Sequence, residues 1–163
     1  KQFWFASTPQ VDNEIKVRFE SVWEKASKGE FNQWRDTADG SVALIVILDQ
    51  LPLNMYRSDP KSFQTETMAV EVALNAINNG YDEELNDEKL LFLFMPLMHS
   101  ENIDHQNLQV YLFEKYNFNL DFSKHHRDLV KRFGRFPHRN EILGRMSTME
   151  ELDYLLSDNA FKG

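Results

Sequence analysis

Four arginines stand within the fourteen residues from Arg132 to Arg145: Arg132, Arg135, Arg139 and Arg145. Between them lie Phe133, Gly134, Phe136, His138, Asn140 and Gly144. A guanidinium presents a rigid fork of donors that matches a carboxylate or a phosphate at two points. From Lys124 to Arg145, seven Lys/Arg meet only Asp128 and Glu141, a local charge of +5 in a chain of net −8. Everything else therefore carries −13. This segment either holds an external anion or ties the acidic remainder together.

Two further stretches gather polar side chains beside apolar ones. One is LDQLPLNMYR, with Asp49, Gln50, Asn54, Tyr56 and Arg57. The other is MPLMHSENIDHQ, with His99, Ser100, Glu101, His105 and Gln106. In a shared pocket, Asp49 and Glu101 would be acids, and His99, His126 or His138 would shuttle protons near neutral pH. Arg57, Arg132, Arg135, Arg139 and Arg145, with Asn54, Gln106, His126, His138 and Asn140, would hold a small anionic ligand or an acidic peptide. The competing reading is architectural. Asp49 and Glu101 would then accept bonds from arginines at helix ends, and Asn54 and Asn140 would cap helices.

Other chemistries are excluded by what is missing. The chain has no cysteine, so it has neither disulfides nor thiolate ligands nor a Cys–His pair, which fits a reducing cytoplasm. His99-x-Glu101 and His125-His126 lack the i, i+4 histidine spacing of helical zinc sites, so no metal is expected. Gly134 is not followed by a phosphate-binding GKS or GKT, and no G-x-S-x-G elbow occurs. No cofactor motif is present. Arg and His interleaved with Phe133 and Phe136 resemble a nucleic-acid stacking surface, yet a surrounding charge of −13 would repel a polyanion. Both rings are better placed in the core, and Trp4, Trp23 and Trp34 read as helix-to-helix anchors. No apolar run reaches the roughly 18 residues that cross a bilayer. The N-terminal KQFWFASTPQVDNE also lacks the apolar region of a signal peptide. No nucleic-acid or membrane partner is expected.

The elements that must position these residues are helical. Ile15, Phe19, Val22, Trp23 and Ala26 form a stripe at spacings of three and four, with Asp12 as cap and Gly29 as stop. Phe31 and Trp34 lie in a linker. Val42 to Leu48 reads as a buried helix broken by Pro52. Pro60 opens a helix ending at Asn79-Gly80. Leu85 to Met95 makes another, closed by Pro96. Ser100 caps the next, and Leu120 to Phe133 follows with Gly134 as its end. Pro137 restarts a short helix around Glu141 to Leu143. Ser147-x-x-Glu150 and Thr148-x-x-Glu151 both read as a capping box for the last. A length of 163 residues fits one domain, 1–163. The expectation is all-α, with seven or eight helices as stacked antiparallel pairs.

Several motifs carry a family resemblance. They are FWF at Phe3 to Phe5, D-x-x-I-x-x-R-F from Asp12 to Phe19, and LDQ-x-P-x-N-x-Y-R from Leu48 to Arg57. Pro96 to Glu101 with Gln106, and RFGRFPHRN-x-x-LGR-x-ST-x-E-E from Arg132 to Glu151, complete the set. Together they resemble the bacterial family catalogued as domain of unknown function 924 along nearly the whole chain. The resemblance implies a tetratricopeptide-repeat-like α-α superhelix and no particular activity. That family tends to carry Arg before the Asn of the first long motif, where this chain has Leu53.

Three functions follow, each with its own geometry. A binding module would line a groove with exposed Arg135, Arg139 and His138. An enzyme acting on a small anionic metabolite would bring Glu101 or Asp49 against His99 or His138. A protein acting through some other surface would bury Arg132 to Arg145 against Asp49, Glu101, Glu150 or Glu151.

Overall fold

The computed structural model describes residues 8–161, so the FWF motif and Trp4 lie outside the described residues. Every regular element among these is helical, as the periodicity requires. Contacts divide the chain into two compact units, residues 1–99 and 100–163.

The first unit holds α1 (Pro9–Ser27), α2 (Ala38–Ile45), α3 (Leu51–Met55), α4 (Glu66–Asn78) and α5 (Asp87–His99). A single π turn, Val46–Gln50, joins α2 to α3, so the two form one rod. α1 packs on α3, while α2 packs on α4 and α5. Trp23, Leu44, Ile45, Leu48, Val72, Leu93 and Phe94 are fully buried. The second unit holds α6 (Ile103–Lys115), α7 (Leu120–Phe133) and α8 (Met149–Leu155). α6 pairs with α7, and α8 packs on the turn Pro137–Arg139. Leu129, Val130, Phe136 and Tyr154 form a core, with Phe133, Leu155, Ala160 and Phe161 at its edge. Counting the jointed rod once gives seven helices among the described residues.

Helix ends written in local chemistry fall where the sequence puts them. Gly134, at φ +71°, ends α7, because a left-handed residue costs glycine little. Thr148 and Glu151 form a complete capping box on α8. Other ends differ. Thr8, not Asp12, caps α1, and Asn102, not Ser100, caps α6. The short helix near Pro137 spans Pro137–Arg139 rather than Glu141 to Leu143.

Both prolines read as breaks are accommodated inside helices. Pro96 lies within α5, which runs on to His99. An interior proline costs about 3 kcal/mol. Burial of Leu93, Phe94 and Leu97 at about 2 kcal/mol each outweighs that. Pro52 follows the π turn, where the Leu51 N–H reaches back to the Val46 carbonyl. Proline at 52 has no N–H to offer the Leu48 carbonyl four residues earlier. The Thr65 hydroxyl donates to that carbonyl at 2.5 Å and accepts from Trp23 Nε1 at 3.0 Å. Thr65 sits at the N-cap of α4 yet caps nothing with its side chain, since the hydroxyl is already committed.

Thr65→Val should therefore destabilise the fold by about 2 kcal/mol, because a buried carbonyl and a buried indole N–H both lose their partner. Urea unfolding measures this directly. A loss below about 0.5 kcal/mol, the level of an ordinary surface change, would mean that the hydroxyl does not satisfy the proline-orphaned carbonyl.

Gly40 serves a close approach rather than a turn. A Cβ there would collide with the Trp34 carbonyl oxygen and crowd the Thr37 hydroxyl. That hydroxyl accepts from the Gly40 N–H and caps α2.

Candidate functional site

In the first unit the π turn carries Asp49 and the last residue of α5 is His99. Both Asp49 carboxylate oxygens lie 2.9 Å from His99 Nδ1. The Asp49 side chain is 4% exposed and that of His99 is 18% exposed. A carboxylate so deeply buried needs a donor, and the imidazole supplies one. A carboxylate can only accept, so the proton of a neutral His99 sits on Nδ1 and the lone pair on Nε2. An imidazole held in one tautomer by a buried carboxylate is the arrangement that prepares a general base. π turns recur at functional sites because the extra residue redirects the side chains beside it.

Beside this pair runs a polar string. Gln50 Nε2 donates to Asn54 Oδ1 at 3.4 Å, and Asn54 Nδ2 donates to Asp12 Oδ1 at 3.2 Å. Arg57 Nε donates to Asp12 Oδ2 at 2.9 Å. Asp12 thus ties α1 to α3 rather than capping α1, and Asn54 braces a helix interior rather than capping one. Arg57 remains largely exposed, so this ion pair contributes little stability. Nearby, the Tyr56 hydroxyl donates to Glu20 at 2.7 Å. Burial and the Glu20 charge push the Tyr56 phenol far above its ordinary value.

Arg132, Arg135 and Arg145 of the basic segment hold carboxylates within the second unit. Arg145 donates through Nη1 to Glu101 Oε2 at 2.6 Å and through Nη2 to Glu101 Oε1 at 2.9 Å. The Phe136 N–H reaches the same Oε1 at 2.7 Å. Asn140 accepts from Arg145 Nε at 3.0 Å and donates to the Ser147 hydroxyl at 3.0 Å. Burial pushes the Glu101 carboxyl up, but Arg145, the Phe136 N–H and the Arg139 charge together hold it below its ordinary value. Arg135 grips Glu151 through Nε at 2.7 Å and Nη2 at 2.8 Å. That grip, opposed by burial and aided by the Thr148 N–H, brings the Glu151 carboxyl down to about 2. Arg132 pairs with Glu150 at the surface. Arg139 is 6% exposed and stacks its guanidinium over the Phe136 ring at 4.8 Å.

The histidines of this unit sit apart from one another in role. Ser100 Oγ lies 2.9 Å from His105 Nδ1 and also accepts the Asn102 N–H, which shapes the start of α6. Gln106, fully buried, donates to the Ser100 carbonyl at 2.7 Å. His126 Nδ1 donates to the Phe122 carbonyl at 2.9 Å. Burial first, then the Arg139 charge, pushes His138 down to about 4. Its Nδ1 is buried without a hydrogen-bond partner. No cluster of three or more metal-ligating side chains occurs among the described residues. No described helix is long and apolar enough to cross a membrane.

Glu101 and Asp49 were both legible as acids needing partners. Asp12, Glu20 and Thr65 were not legible as members of any network. Their hydrogen-bond partners in these networks lie 36 to 45 residues away for the first two and 17 and 42 for Thr65, and no local pattern marks such pairs.

An all-helical chain with a buried Asp–His pair and an arginine-stapled second unit defines the class of molecule. The chain matches a bacterial family of proteins of unknown function, DUF924, over residues 1–159, and it belongs to that family. Its fold is similar to the solved structure of a protein of unknown function from Agrobacterium tumefaciens. The TM-score is 0.89 at 35% identity, covering 95% of this chain and 89% of the other. Among curated proteins, none matches this chain.

Proposed function

We propose that this chain is an enzyme of general acid–base type acting on a small polar metabolite. His99 is the proton acceptor and Asp49 the residue that fixes its tautomer. The observation that carries this reading is the buried Asp49 carboxylate, bonded through both oxygens to a half-buried imidazole at 2.9 Å. A purely architectural pair would gain little from a histidine at the end of α5, where a neutral amide would bond as well. The alternative, a binding module gripping an anionic ligand or acidic peptide, draws less support. Three of its guanidiniums already hold Glu101, Glu150 and Glu151. We take 1–163 as one functional domain built from two compact units. Its acidic remainder disfavours a nucleic-acid partner.

Small phosphate esters, carboxylate esters, amides and sugar phosphates, screened first by thermal shift, supply the test. A compound that binds at about 100 times its dissociation constant raises stability by roughly 2.7 kcal/mol. Turnover of that compound should vanish in His99→Asn and fall in Asp49→Asn, with the melting curve of each close to wild type. Undiminished turnover in His99→Asn would end the proposal.

A further inference from the structure

The chain turns back after α8 and places one phenyl ring among histidines. Phe161 has its ring centroid 4.6 Å from His126, 5.0 Å from His138 and 6.2 Å from His125. Phe122 closes the cage at 5.9 Å. Phe136, in the core, lies 5.5 Å from His126 and 5.6 Å from His138, so the cage rests on the core of the unit. The backbone of the same segment is pinned by one phenol. The Phe161 N–H donates to the Tyr154 hydroxyl at 2.8 Å, and that hydroxyl donates to the Asn159 carbonyl at 3.3 Å. The ring and the phenol hold the end of the segment, while Leu156 and Ser157 at its start bond back to α8.

We propose that Leu156 to Phe161 is an acid-opened latch, with Phe161 as its tongue and His126 and His138 as its catch. The charged groups around the catch decide the direction. From the Pro137–Arg139 turn comes Arg139, from the turn after it Arg145, and from α7 His126. Glu101 opposes them, but Arg145 already holds Glu101 through two bonds. A first imidazolium beside Phe161 gains some cation–π attraction. A second would stand beside the first, beside Arg139, and behind a ring that excludes water. With the latch closed, His138 is desolvated and disfavours a proton; with the latch open, it is hydrated and accepts one. Protons therefore bind the open state better and shift the population toward it.

Amide hydrogen exchange of the wild-type chain, read residue by residue, tests this. Between pH 7 and pH 5 the protection of the Phe161 amide should fall at least tenfold beyond the intrinsic pH effect on exchange. Val130, in the core of the same unit, opens only with the fold and should stay clearly better protected than Phe161 at every pH. His138→Gln should abolish the pH dependence of the Phe161 amide. A second variant keeps the test open if that one folds poorly. Phe161→Ala should move the NMR titration of His138 up toward its ordinary value near 6.5. Protection of Phe161 that follows the intrinsic curve alone, or that equals that of Val130 at every pH, would overturn the latch. So would a His138 titration unchanged by Phe161→Ala.

Discussion

Glu101→Ala should lower the unfolding free energy by about 3 kcal/mol, toward the lower end of the range for a severed buried ion pair. The carboxylate accepts two Arg145 N–H groups and the Phe136 N–H, and Phe136 is among the most deeply buried rings of the chain. Removing it orphans a buried backbone donor and a partly buried guanidinium together. Both side chains of the pair keep 24% exposure, so solvent softens the loss and the upper end of the range is not reached. A double-mutant cycle isolates the pair. Arg145→Met in the Glu101→Ala background should cost clearly less than in wild type, a coupling of about 1 kcal/mol or more. Additive losses would show that the two groups act separately. A loss below about 1 kcal/mol for Glu101→Ala would reduce the staple to an ordinary surface pair.

Acid should weaken the fold well above the usual carboxylate range. His138 titrates near 4 in the folded chain against 6.5 as a free side chain. Between those values the unfolded chain binds a proton that the folded chain refuses. The stability linked to His138 is therefore fully present above pH 6.5 and is lost as pH falls through 4. The loss amounts to about 3 kcal/mol by pH 4. Glu101 and Glu151 act in the same direction at lower pH. Their folded carboxyls lie below the ordinary 4.5, so their contribution starts to fall near pH 4.5 and, for Glu151, continues to about 2. Urea midpoints measured at steps from pH 7 to pH 4 should decline in wild type and stay nearly flat to pH 5 in His138→Gln. Equal slopes in the two proteins would assign the acid sensitivity to other groups.

What the sequence made legible follows from how far each signal reaches. Helix ends set by backbone conformation were readable, because Gly134 and the Thr148–Glu151 box act within four residues of themselves. Pro52 and Pro96 misled, because proline's local penalty is fixed while the burial that overrides it depends on distant neighbours. The polar stretches announced that Asp49, His99, Glu101 and Arg145 matter. Their pairing was not announced, since Asp49 and His99 are 50 residues apart and Glu101 and Arg145 are 44 apart. Arginine count suggested an open anion site. Arg132, Arg135 and Arg145 are instead matched to carboxylates, a balance that summed charge cannot reveal.

The π turn between α2 and α3 has a consequence for how this family of chains can change. One surplus residue turns everything beyond it by about 100° around the rod's axis. α2 can thus address α4 and α5 while α3 addresses α1, which a uniform rod could not do with the same two faces. The segment is a phase shifter. Substitutions within Val46–Gln50 alter single contacts, but losing any one residue there would re-phase Asn54 and Tyr56 away from Asp12 and Glu20 at a stroke. At Val46, Ile47 and Leu48, length more than identity is the quantity that variation must keep, while Asp49 adds a demand of its own through His99.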